Sequence, residues 1–542
     1  MPEQVPRKDI GSALPAIALV VMVAALALPI SIELIRSLFV LQSDQSGVSL
    51  GEIFLSTPRL MLLVRSLAIA GGIGLVGMCM GIPLARVIGA GITRRGALLI
   101  GVLISPIWLP ATMVYAAGNL LRAPDTIVGR AIVTFSTSDE SLRWVTIWVG
   151  YAVAVLGLAI WSAPIAAILI ASGLGHRSSL YDEMIALEPI GRVRRARLWV
   201  GINRTPLLRA WALLTVLMLG SAVPMHLAQL ETWSIVIWRE LAESPIEQWG
   251  VVWLSSWPMV IVAALGAWML THTLIADKES SSLEDHGHHR VRLPRSVRSS
   301  AIGVWILGAI VPMAAMLVSL DDWRSILYFW TLEADALRDS GFVALLAGGF
   351  TMILAMLVAI TLGSPARRIR RAGAGAVLVL CILGLIPGVL VGAAIARTPI
   401  SGIHASLSGS IAGAVLGSFI RVGFLGAIIG ALCARSESIE RKSLRWQLAG
   451  GSIRGWTRAA LPGIALPVLG VGLVGFLYSM YEIEASVMIR PPGMANLPQQ
   501  ILSDLHYARL EQLSAAGINL LAIGLILSII ASVFLARVQR SP

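Results

Sequence analysis

The chain has 542 residues, 56% of them hydrophobic and 13% charged, with a formal net charge of +12; its mean hydropathy is +0.81 and its pI about 10.4. A soluble domain carries about 45–50% apolar and about 25% charged residues, so this composition excludes a water-soluble globular protein. The apolar runs are too long for strands and lack period-2 alternation, which leaves an all-α integral membrane protein.

In chain order, the first apolar run follows Arg7 and Lys8 in the manner of a signal peptide. It is longer than the roughly 7–15 residues of a signal core and reads as a retained anchor. An apolar stretch of about 20 residues spans the hydrocarbon core, and on that basis spans are expected near 13–33, 60–83, 97–118, 145–171, 208–229, 250–275, 302–320, 342–363, 374–395, 409–432, 461–481 and 513–536. This makes about twelve transmembrane helices. Cys79, Cys381 and Cys433 fall in or beside these runs without a pairing pattern and imply neither a disulfide nor a thiolate metal site.

The spans repeat as six and six. A first half over 1–276 and a second over 301–542 are joined by the polar, Ser-rich segment 277–300, which reads as a cytoplasmic connection. WLPATMVYAAG (Trp108–Gly118) in one half corresponds to LIPGVLVGAAI (Leu385–Ile395) in the other. An even number of spans per half gives both the same orientation, a parallel repeat. With both termini inside, Lys and Arg gather on the cytoplasmic side, so the high pI reflects orientation in a membrane and predicts no nucleic-acid partner. His286, His288 and His289 in the connection read as solvated residues, and no metal site is expected.

The two largest basic accumulations are His176–Arg209, with seven arginines, and Arg435–Arg458, with six basic residues. A plain connection between spans needs roughly 2–8 residues, so these segments carry something more. Leu180 to Leu198 fits a short helix, with Ser178 and Ser179 able to cap it and Asp182 and Glu183 in its first turn; Pro189 and Gly191 then interrupt it. In the second segment Ser438 and Glu440 lead, Gly450 and Gly451 interrupt, and the chain re-enters the membrane at Pro462. Helix, break, helix at equivalent positions suits the docking of two equivalent partners, or arginines resting on anionic membrane lipid.

These segments resemble the cytoplasmic EAA loop of ABC importer permeases, in which a Glu-Ala-Ala helix is followed by Gly and then by Leu-Pro. Glu183 and Ala186 resemble the acidic start, with Pro189 in the place of the usual Gly, while Gly450, Ser452 and Leu461–Pro462 match the later part. GSFIRVGFLGAIIGAL (Gly417–Leu432) and FLYSMYEIEASVMIRPPGMANLPQQILSDLHY (Phe476–Tyr507) resemble the fused two-half permeases of the iron(III) and thiamine type. The resemblance implies a type I importer architecture. It places the coupling contacts at Glu183, Ala186, Pro189, Gly191, Gly450, Gly451, Ser452 and Pro462, with two copies of an ATP-binding cassette subunit, a solute-binding protein outside and a bacterial cytoplasmic membrane. The solute would be iron(III) or another metal ion, or next thiamine.

Without G-x-x-x-x-G-K-[ST], the chain is expected to hold no ATP in the P-loop manner, and no cofactor of its own; ATP would sit on the partner subunit. GVGLVG (Gly470–Gly475) lies inside a span, and its glycines read as helix packing, as do Gly409, Gly413 and Gly417. Arg421, near the middle of a span, is a candidate for the translocation pathway or for pairing with a carboxylate; Arg65, nearer a membrane end, can snorkel. The outer connections are acidic, at Glu231, Glu240, Glu243, Glu247, Asp321, Asp322, Glu333, Asp335 and Asp339. A twelve-span secondary transporter would require carboxylates within the spans, where only Glu33 and Glu482 occur, at edges. A membrane glycosyl transferase would need an acidic pair on an outer loop, for which LDDW (Leu320–Trp323) is the candidate.

Overall fold

The computed structural model describes residues 10–42, 57–90, 94–120, 127–138, 143–174, 191–276, 293–364, 366–398, 407, 409–436 and 453–538. Among them every regular element is helical. In chain order these are α1 (Ile10–Gln42), α2 (Thr57–Gly89), α3 (Arg94–Ile104), a 3-10 turn (Ser105–Trp108), α4 (Ala111–Leu120), α5 (Ile127–Ser138), α6 (Arg143–Gly173), α7 (Arg192–Ile202), α8 (Arg204–Gly220) and α9 (Val223–Leu227). There follow α10 (Trp233–Glu243), α11 (Trp249–Ser255), α12 (Trp257–Ala276), α13 (Arg295–Trp305), a π turn (Ile306–Ile310), α14 (Val311–Val318), α15 (Ser325–Leu332) and α16 (Ala334–Leu362). The last are α17 (Arg367–Leu385), α18 (Gly388–Arg397), α19 (Ile411–Ser436), α20 (Ile453–Met480), α21 (Ser486–Ile489), α22 (Leu497–His506) and α23 (Leu510–Val538).

Among the described residues nine helices are long and apolar enough to cross a membrane, and two bent helix pairs raise the number to eleven if each is one span. The protein is therefore an all-α membrane protein, with nine to eleven candidate spanning helices among the described residues. The stretches read as spans over 97–118 and 374–395 are the bent pairs: the chain turns by 83° between α3 with its 3-10 turn and α4, and by 98° between α17 and α18. The stretch 208–229 is also different. α8 stops at Gly220, only 17 residues long, and α9 starts after Ser221 and Ala222. The segment read as a connection over 277–300 lies outside the described residues up to 292, and α13 already begins at Arg295.

The chain forms two compact units, and neither is a continuous stretch. One comprises Met1–Ser49, Ser244–His286 and Asp339–Met494; the other Leu50–Glu243, Gly287–Arg338 and Ala495–Pro542. In the first, α17 packs on α19, on α12 and on α1, and α20 packs on α19. In the second, α2 packs on α6 and α8, while α23 lies along α3 and the 3-10 turn.

Both units rely on close backbone approach, as expected where lipid supplies no hydrophobic drive between helices. A Cβ at Gly81 would stand 2.8 Å from Ala163 O on α6, and one at Gly426 would stand 2.7 Å from Thr351 O on α16. Gly472 and Gly475 of the GVGLVG run likewise face Met352 and Thr351 of α16. Gly409 has a different job: its φ of +69° makes the turn into α19, a conformation that favours glycine. The cysteines are free thiols.

Candidate functional site

Among the described residues each unit contains one sharply bent helix pair, and each bend is made by a proline. At the first, Pro110 lacks an N–H and holds Leu109 extended (φ −79°, ψ 136°), so α3 and its 3-10 turn end there and α4 starts in a new direction. At the second, Pro387 does the same to Ile386 (φ −63°, ψ 143°) between α17 and α18. A helix end leaves carbonyls with no intrahelical partner, and in an apolar interior such groups require donors.

The two breaks find different donors. At the first, the buried indole Nε1 of Trp161 on α6 donates to Leu109 O at 2.7 Å. Trp108 donates its indole N–H to Ser528 Oγ on α23, Trp305 donates to Ser105 Oγ at 3.1 Å, and Tyr115 OH donates to Leu227 O at 2.8 Å. All of these donors are neutral.

At the second, Arg421 of α19 donates from Nη1 to Gly384 O at 2.9 Å and to Ile386 O at 2.6 Å. Its Nε lies 3.8 Å from Glu482 Oε1, and its Nη2 lies 3.6 Å from Glu484 Oε2. All three side chains are buried. Glu482 in turn accepts from the N–H groups of Ala485 (2.8 Å) and Ser486 (3.0 Å), closing the start of α21. One guanidinium thus faces two buried carboxyl groups. Gly388 and Gly392 permit this: a Cβ at Gly388 would stand 2.7 Å from Glu484 Cβ, and one at Gly392 would stand 2.7 Å from Ala485 O.

The far end of α18 is also held by charge. Arg397 Nη1 donates to Glu33 Oε2 at 2.9 Å, while Arg36 Nη1 donates to Glu33 Oε1 at 2.7 Å and to Arg397 O at 3.0 Å. Glu33 is fully buried on α1, inside the candidate span Leu14–Phe39. The expectation of carboxylates only at span edges is corrected here for Glu33, because two arginines make its burial tolerable.

Of the residues expected to couple to a partner, Glu183, Ala186, Pro189, Gly450, Gly451 and Ser452 lie outside the described residues. Gly191 is exposed and precedes the first turn of α7. Pro462 does not begin a helix; it lies within α20, which runs without interruption from Ile453 to Met480. Arg421 meets carboxylates and break carbonyls together. Sequence reasoning missed Glu484, Arg36, Arg397 and Trp161. Glu484 was within sight as the second acid of EIEAS, but its partner lies 63 positions earlier, a pairing only the fold makes.

Beyond the spans, the acidic residues divide. Glu240 pairs with Arg59 at 3.3 Å and Glu231 with Arg239 at 3.7 Å, while Asp322 Oδ1 caps its own turn by accepting from Arg324 N at 2.9 Å. Burial pushes the Asp504 carboxyl above its ordinary value against the pull of Arg509. Burial and then the neighbouring Asp504 push Glu333 the same way. Burial and then His506 hold the His226 imidazole below its ordinary value; the two rings stack with centroids 6.1 Å apart.

Fold and site together define a class, a multi-pass all-α membrane protein with two proline-broken helices, one of them closed by a buried ionic group. Compared with family models, with curated proteins and with solved structures, the chain matches none of them.

Proposed function

We propose that this chain is the membrane-spanning permease of an ATP-driven importer of the ABC type, with both membrane halves in one polypeptide. The observation that carries the reading is an order of elements that occurs twice. A bent pair, a long helix, a polar segment and a resumed helix occur in that order as α3–α4, α6, 175–190, α7–α8, with α5 between α4 and α6, and again as α17–α18, α19, 437–452, α20. Two copies of one arrangement suit a transporter whose two sides are driven together. The EAA resemblance of the two polar segments supports the same reading.

In this account the segments around Glu183–Gly191 and Gly450–Ser452 seat in two copies of an ATP-binding cassette subunit, and closure of those subunits moves the helices as rigid bodies. Arg421 acts on the pathway by fixing the shape of the second break. The cargo is a solute delivered by a binding protein, with iron(III) or another metal ion first and thiamine next, by resemblance. The proposal extends to a bacterial cytoplasmic membrane with both termini inside.

Replacing Gly450–Ser452 by three bulky residues tests the coupling. ATP hydrolysis by the assembled complex persists while uptake into proteoliposomes is lost; uptake at the wild-type rate overturns the assignment. A second reading, a proton- or sodium-coupled secondary transporter, draws support from the buried carboxylates Glu33, Glu482 and Glu484 beside broken helices. It predicts transport driven by an ion gradient without ATP.

A further inference from the structure

Among the described residues, helix α7 meets little protein surface beyond the contact of Trp199 with Arg86. It is 11 residues long, too short to be stable in water by itself, and nearly all of its described side chains are exposed. Val193 is 76% exposed, Leu198 41%, Val200 47% and Ile202 40%. Arg194 and Arg197 are exposed among them, and neither has an acidic partner among the described residues.

Helical spacing places Val193 over Arg197 and Arg194 over Leu198, each pair four residues apart. With Gly191, these four side chains line one open groove of about 570 Å³. The location is equally specific. Trp199 lies under the guanidinium of Arg86, 5.8 Å from its ring centroid, and Arg86 sits in the last turn of the candidate span Thr57–Gly89. Gly173, the last residue of the candidate span Trp148–Gly173, approaches Pro206 in the first turn of α8, where a Cβ would stand 2.6 Å from the Pro206 ring. The ends of two candidate spans therefore flank the junction of α7 and α8, the place where a membrane boundary would fall if both cross.

We propose that the α7 groove is a binding site for an anionic phospholipid, with the headgroup phosphate between Arg194 and Arg197 and acyl chain against Val193 and Leu198. Guanidinium groups alone would suit any phosphate, and exposed aliphatic groups alone would suit any apolar surface. Their alternation on one short helix at a membrane boundary matches a ligand that carries both. The proposal goes beyond the importer reading: the segment assigned there to the ATPase ends at Gly191, where α7 begins.

The test uses the full chain in nanodiscs with a nitroxide on Val193→Cys, against a sample without that substitution to subtract the native cysteines. In phosphatidylglycerol the label becomes accessible to oxygen and shielded from an aqueous nickel chelate; in phosphatidylcholine it stays exposed to the chelate. Arg194→Gln and Arg197→Gln, both at exposed positions, each reduce the ratio of lipid-facing to water-facing label about fivefold. Equal shielding in the two lipids, or none in either, overturns the proposal. So does shielding that inorganic phosphate reproduces in phosphatidylcholine, which would assign the site to a free anion. Shielding that arises only when an ATP-binding cassette subunit is added would assign α7 to a protein contact and equally overturns it.

Discussion

At the first break one indole N–H from α6 closes Leu109 O; at the second, a guanidinium from α19 closes Gly384 O and Ile386 O and also faces two carboxylates. The carbonyl before the proline is the shared problem. Trp161 answers it with a neutral donor whose removal strands one acceptor. Arg421 answers it with a charge, so its removal strands two carbonyls and two buried carboxylates together. The comparison shows that a backbone break fixes the need for a donor but leaves open whether the donor is ionic, and that choice decides how far the consequences of a substitution spread.

The largest expected effect is at Arg421. Arg421→Met should destabilise the protein by about 3–5 kcal/mol, seen as a lower thermal unfolding midpoint in detergent. Adding Glu482→Gln and Glu484→Gln to it should restore much of the loss, because the stranded charges are then gone. A single variant as stable as the parent would break the contrast between the two sites.

Trp161→Phe keeps one aromatic ring but removes the N–H and some buried volume, so it should cost about 1–3 kcal/mol, without rescue by any change at a carboxylate. Gly388→Ala tests the packing that brings Glu484 against α18, since a Cβ there would stand 2.7 Å from Glu484 Cβ. Overpacking of this kind costs about 1–3 kcal/mol, and the loss should shrink when Glu484 is shortened to Ala in the same chain. If Gly388→Ala is neutral by itself, the close approach is not a constraint.

The smallest effect is local and depends on pH. His226 resists protonation in the folded state because burial and His506 disfavour its charge. The unfolded chain therefore takes up the proton first as pH falls below about 6.5, and the contact between α9 and α22 weakens through that window while remaining intact above it. Hydrogen exchange in 223–227 and 497–506 should rise on acidification, and His226→Gln should flatten the rise. Exchange that is the same on both sides of the window would remove His226 as the cause.

The spans were legible because a helix that crosses lipid must be apolar along about 20 residues, and most of the expected stretches contain long apolar helices. Their shape was less legible. WLPATMVYAAG and LIPGVLVGAAI stood out as matching stretches, yet an apolar run with one internal proline reads alike whether the helix kinks, continues or turns by 83° or 98°. Arg421 was legible as a charge that must have a reason, and Glu482 as an acid near the membrane. Glu33 with Arg36 and Arg397 was not, because Arg397 is 364 positions from Glu33 and no local pattern announces so distant an ion pair. The span over 208–229 failed for a further reason: Ser221 and Ala222 separate two helices within a run that hydropathy alone counts as continuous.

Native mass spectrometry of the chain purified from its own membrane tests the importer account most directly. The account predicts one 57.7 kDa chain bound to two copies of an ATP-binding cassette subunit, a complex that stays assembled when Gly450–Ser452 is replaced. A chain that carries only lipid, and that moves solute under an ion gradient without ATP, would contradict it.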